Sequence, residues 1–151
     1  MPEVHITSQS SIISGRKKVV NSRRIVNIIL ALILLILFSM PWFADASGYD
    51  IWNSLQMHDY RNGTPFVVHS MLLGGLVAPI AIIILALRGN EGLIMGVLRV
   101  APMVMIMTLT EETKVLPFFS GEWGFYAYIF TALLTMLLST IYEYIEDSED
   151  K

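Results

Sequence analysis

From Ile28 to Phe38 the chain carries no polar residue. A helix on the surface of a soluble protein shows a polar position every third or fourth residue, so this stretch is not one. Three further apolar runs follow, and the four together occupy about 24–43, 66–87, 93–110 and 123–143. A bilayer core of roughly 30 Å takes about 20 apolar residues as helix. Runs one, two and four meet that length. Run three is shorter and contains Arg99. The pattern predicts an all-α, polytopic membrane protein with four transmembrane helices in an antiparallel bundle. It divides the chain into a cytoplasmic basic tail (1–22), a four-helix transmembrane domain (23–144) and an acidic cytoplasmic tail (145–151).

Composition agrees. The hydrophobic fraction is 54% and the mean hydropathy is +0.60, too high for a soluble domain of this length. The net charge of −3 says little, but the charges are segregated. Arg16, Lys17, Lys18, Arg23 and Arg24 precede or open run one, and Glu143, Glu146, Asp147, Glu149 and Asp150 close the chain. The positive-inside rule puts the N-terminus in the cytoplasm, and four spans return the C-terminus there. The connection holding Arg88 is then also inside, and the outer segments keep only Arg61 and Lys114. The expected location is the cytoplasmic or plasma membrane. The basic stretch Arg16–Arg24 fixes topology and is suited to anionic lipid. With no cysteine, disulfides and thiolate chemistry are excluded.

Pro41, Ala44 and Ala46 sketch a signal-peptidase site after run one. Cleavage there would leave three spans. The apolar stretch exceeds the usual signal-peptide length, so an uncleaved first helix is the expectation, with Trp42 and Phe43 as interface anchors. In the next loop Ser47-Gly48-Tyr49-Asp50 fits a capping box. Ile51, Trp52 and Leu55 follow at helical spacing, which predicts a short amphipathic helix on the outer surface with Trp52 among the headgroups. Asn62-Gly63 is a turn signal.

Small residues recur at four-residue spacing: Ser70, Gly74 and Ala78 in run two, Gly92 and Gly96 at the start of run three. Such faces let helix backbones approach closely. Pro79 and Pro102 predict kinks. The short turn at Gly89-Asn90 makes runs two and three antiparallel neighbours. Trp123, Tyr126 and Tyr128 mark the outer end of run four, and Tyr142 and Tyr144 its inner end.

Candidate chemistry is sparse. Arg99 lies about 9 Å into run three, deep enough to pair with Glu143 or to reach back to the inner interface. His69, with Glu111 and Glu112, gathers near the outer end, and His58 and Asp59 are within loop reach. Thr131, Thr135 and Ser139 share one face of run four; they can bond their own backbone or line a wet path. Met103, Met105 and Met107 do not share a face, which argues packing over copper. There is no metal-ligand spacing, phosphate loop or dinucleotide fingerprint. No cofactor, nucleic acid or enzyme activity is expected.

Four spans with the larger outer loop first is a layout similar to claudin-like tetraspan proteins and to small bacterial immunity proteins against pore-forming toxins. The cysteine pair and tryptophan-rich signature of the claudin loop are missing, and no family is assigned on layout. Subtraction leaves helix–helix association as the expected role, as a homo-oligomer or as an accessory or protective subunit of a membrane assembly. The alternative is a small transporter or channel with a polar path past Thr131, Thr135, Ser139 and Arg99.

Overall fold

The structure, a computed structural model, describes residues 5–43, 45–54, 65–90, 92–113 and 122–149, with side chains described at these positions except 5–21, 65, 110–113, 139, 143 and 146–149. The described residues are mostly helical.

Helix α1 spans His5–Phe38. At 1.5 Å per residue its 34 residues extend about 51 Å. The segment expected as a polar tail is therefore helical from His5 onward. No proline interrupts the chain between Pro2 and Pro41, and a helix once nucleated propagates at little cost per residue. Run one also ends earlier than expected, at Phe38 instead of residue 43. Pro41 disfavours the helical conformation at Met40. Before it, the Ser39 amide bonds Ile36 O and the Met40 amide bonds Leu37 O, closing the last turn tightly. The Trp42 indole Nε1 then donates to Leu37 O at 2.8 Å.

Beyond Phe38 the chain forms a small antiparallel hairpin, β1 (Pro41–Phe43) with β2 (Ala46–Ser47). Asp45 takes the left-handed conformation at its turn, φ 66°. The hairpin is tied to the start of the last helix: the Glu122 amide donates to Trp42 O at 2.8 Å, and Glu122 Oε1 accepts from the Asp45 amide at 2.9 Å. The capping box forms as expected. Ser47 Oγ accepts from the Asp50 amide and donates to Asp50 Oδ2, which also accepts the Ser47 amide. It starts helix α2 (48–54). Ile51 and Trp52 of α2, both partly buried, pack against the protein's own core. The turn at Asn62-Gly63, together with Leu55, His58 and Asp59, lies outside the described residues.

Run two is one path in three pieces: α3 (Pro65–Leu72), a π-helical segment (Leu73–Val77) and α4 (Ala78–Arg88). The expected disturbance at Pro79 is thus a local change of helix type. The Ala78 amide reaches back five residues to Leu73 O, and Pro79 falls in the first turn of α4, where its missing N–H is tolerated. The next amide in that wider ladder would belong to Pro79, so Gly74 O loses its donor. Tyr128 replaces it from another helix, its hydroxyl donating to Gly74 O at 3.1 Å.

Helix α4 ends at Gly89 (φ 70°), whose amide bonds Ala86 O while the Asn90 amide bonds Leu85 O. This paired closure needs the left-handed residue that glycine supplies. Helix α5 (Leu93–Thr113) continues through Pro102, and α6 covers Trp123–Glu149, carrying the expected acidic tail on as helix. Helix α1 packs on α4 and α6, and α5 packs on α3, the π segment, α4 and α6. Phe66–Arg88 and Trp123–Tyr142 are long and apolar enough to cross a membrane, and Leu93–Leu109 is a shorter apolar stretch.

Two apolar cores result. The one nearer the hairpin holds Leu34, Phe38, Trp42, Met71, Met105, Phe125 and Tyr128. The one nearer the Gly89 turn is smaller: Ala31, Ile82, Ala86 and Met95. Trp42 and Tyr128, both expected at an interface belt, are fully enclosed. Trp42 meets Phe38 edge-on at 5.5 Å between ring centres and lies 4.9 Å from Tyr128. Trp123 and Tyr144 are exposed, as a belt requires.

Candidate functional site

Several polar side chains are buried. Arg99 on α5 is 2% exposed and Thr135 on α6 1%. Arg23 and Asn27, one turn apart on α1, are also buried, and Thr131 lies one turn from Thr135. Arg99 follows Met95 by one turn, and Asn27 precedes Ala31 by one turn; Met95 and Ala31 belong to the same core. Arg99 therefore enters the protein between packed helices instead of running along a lipid-facing side. Glu143, expected to pair with it, has its side chain outside the described set, as does Ser139.

The threonine face has a definite hydrogen-bonding character. Thr131 Oγ1 donates to Ala127 O and Thr135 Oγ1 donates to Thr131 O, each at 2.8 Å. With the hydroxyl protons committed to the backbone, only lone pairs remain to face a neighbour. Such a face accepts and does not donate. That chemistry complements a guanidinium, which only donates.

Arg24 occupies a different place. Its guanidinium lies on the α4–α5 turn, with Nη2 2.6 Å from where a side chain on Gly89 would begin. A cation at the C-terminus of α4 meets the negative end of that helix. Gly89 is thus required twice, for its backbone conformation and for the space Arg24 fills.

The Ser70–Gly74–Ala78 face is consumed inside the chain. All three residues are buried. A Cβ on Gly74 would sit 2.8 Å from Ala101 O of α5, and Ser70 Oγ is 2.7 Å from Thr108 Oγ1. The free association surface expected there is instead the contact between the π-segment path and α5. Gly92 and Gly96 make no close approach within the chain: an added side chain at Gly92 meets only Asn90 Oδ1, at 3.5 Å, and one at Gly96 meets nothing within 4 Å. The close approaches lie elsewhere, at Gly48 and Gly75 against the Phe38 ring and at Gly124 against Pro41 O. Gly48 and Gly124 adjoin aromatic residues in the sequence, a signal too common to single out, and Gly75 carries none.

His69 is exposed near the hairpin end, while the side chains of Glu111 and Glu112 and all of Lys114 lie outside the described set, and the expected cluster lies outside it with them. The three methionines separate: Met105 is in the core, Met103 half-buried and Met107 exposed.

A shallow apolar groove of about 360 Å³ runs between the π-segment path and α5, lined by Ser70, Leu73, Val97, Val100, Ala101 and Val104. It lies on the outward side of α5, where Val97, Val100 and Val104 are exposed. No protein-family model matches the chain, and none of the curated proteins or solved structures compared with it matches either.

Proposed function

We propose that the chain is a small, non-enzymatic integral membrane protein that works by helix–helix association, with a second copy of itself as first partner and a larger membrane assembly as the alternative host. Four spans carry it: the apolar part of α1, the path α3–π–α4, α5 and α6. Both termini are cytoplasmic, following the basic residues of α1 and Arg88. The observation that supports association is the groove along α5, flanked at Gly96 by open space. In lipid, helices associate through close packing of shapes, and a groove beside a small residue admits a neighbouring helix deeply. The chain has no cysteine, so an introduced thiol is unique. Val100→Cys in native membranes should form a disulfide-linked dimer under mild oxidation, whereas Ile29→Cys, exposed on α1, should not. Equal yields from the two positions would count against the groove.

The second reading is a transporter or channel with its path past Arg99, Thr131, Thr135 and Ser139, ending outward near His69 and Glu111. It rests on the burial of Arg99 and the two threonines. Intramembrane charge is costly and usually functional. The reading ranks second because the Thr131 and Thr135 hydroxyls already donate to their own backbone, which leaves less for a solute. Flux in liposomes that survives both Arg99→Ala and Thr135→Val would reject the path.

A further inference from the structure

Helices α1 and α6 pack side by side, and their ring contacts set the register. Phe38 meets Tyr128 and Trp42 meets Phe125. As the residue number falls along α1 it rises along α6, so the pair is antiparallel. One turn further, Leu34 and Ala132 share the same core. Continuing this register turn by turn puts Asn27 at the height of Ser139, Arg23 at Glu143, Val20 at Glu146 and Lys17 at Glu149. Both helices are continuous through these positions. The basic stretch of one and the acidic stretch of the other therefore occupy the same heights in opposite order. Neither charge run looks special alone; the antiparallel packing superimposes them.

We propose that the acidic end of α6 is an intramolecular competitor for the outer basic stretch of α1, holding Arg16, Lys17 and Lys18 away from anionic lipid until the membrane surface outcompetes it. The proposal rests on reading the chain as a membrane protein with this end at the cytoplasmic face. There, a negatively charged leaflet attracts each nearby lysine or arginine, and the attraction decays within a Debye length. The carboxylates of α6 offer the same negative charge from within the chain, with no loss of lipid mixing. The cations of α1 thus have two alternative partners, and surface lipid composition selects between them. When lipid wins, the two helix ends are free to separate beyond the membrane while the aromatic core holds them together within it.

A zero-length carbodiimide cross-link tests this on the unmodified protein, because it joins an amine to a carboxylate only when the two touch. In bilayers of pure phosphatidylcholine, peptide mapping should find Lys17 or Lys18 joined to Glu146, Asp147 or Glu149. In phosphatidylcholine mixed with phosphatidylglycerol the same yield should fall roughly fivefold, the weight of about one cation at an anionic surface. Neutralising the acids farthest from the membrane (Glu146→Gln, Asp147→Asn, Glu149→Gln) should raise the number of phosphatidylglycerol molecules retained per chain in native mass spectra. Absence of the cross-link in pure phosphatidylcholine overturns the contact. A yield indifferent to phosphatidylglycerol, or unchanged lipid retention in the variant, overturns the competition. Extraction of the protein by alkaline carbonate would instead defeat the membrane reading itself, and is scored separately.

Discussion

The two ends of this protein bury different things. Near the hairpin, large rings fill the space between helices, and two of them bond the backbone: Trp42 Nε1 donates to Leu37 O and Tyr128 Oη to Gly74 O. Near the Gly89 turn the apolar core shrinks to Ala31, Ile82, Ala86 and Met95, and Asn27 and Arg99, one turn from Ala31 and Met95, are buried, with Arg23 a further turn along α1. The difference teaches where stability and chemistry lie. Ring packing fixes helix heights and holds the fold together. The other end encloses donors and acceptors that a membrane interior tolerates only when they are matched.

The largest expected effect belongs to the hairpin end. Trp42→Ala removes a fully buried ring that touches Phe38, Phe125 and Tyr128, and should cost about 3–5 kcal/mol in detergent unfolding. A variant that melts with the parent would erase the contrast. Next comes Tyr128→Phe, which keeps the ring and deletes the hydroxyl that donates to Gly74 O. An orphaned buried carbonyl costs about 1–3 kcal/mol, and hydrogen exchange should rise in the π segment 73–77 before it rises in α5. Uniform acceleration along the chain would mean that the bond does not hold that segment in place.

The smallest effect lies outside both cores. Ser47→Ala breaks the capping box and should cost about 1 kcal/mol locally. Its pH dependence is defined by Asp50. Hydrogen bonds from the Ser47 hydroxyl and then the Ser47 amide lower the Asp50 pKa below its ordinary 3.8. A depressed carboxyl stabilises the fold above its unfolded value and loses that contribution as the pH falls through the folded one. The gap between parent and Ser47→Ala should therefore be widest at neutral pH and narrow below pH 3.8, keeping the part that the Asp50 amide bond supplies. A gap that widens on acidification would reverse the assigned direction.

Much of this was legible along the chain. Runs two and four stand as the two helices able to cross a membrane, and the capping box and the Gly89 turn form as written. Spacing found the small face at Ser70, Gly74 and Ala78, but spacing cannot say whether such a face meets its own chain or another. In this fold α5 fills it, which also makes Gly74→Leu a disruption of the fold itself and a poor probe of association. Trp42 and Tyr128 read as interface anchors because a ring near a helix end satisfies an aromatic belt and an aromatic core equally well. The π segment left no trace beyond Pro79, since its cause is shared between that missing N–H and a hydroxyl more than fifty residues away. The inner polar group was visible in part: Arg99, Thr131 and Thr135 were named, whereas Arg23 and Asn27 were read only as flanking charge and helix. Their inward orientation depends on which neighbours α1 has.

The central claim is association through the outward side of α5. The measurement that tests it most directly is native mass spectrometry of the purified protein beside Gly96→Phe, a substitution the fold has space for. The account predicts a defined oligomer for the parent and a monomer with unchanged thermal stability for the variant. A parent that flies as a bare monomer, or a variant that keeps the parent's oligomer, would contradict it.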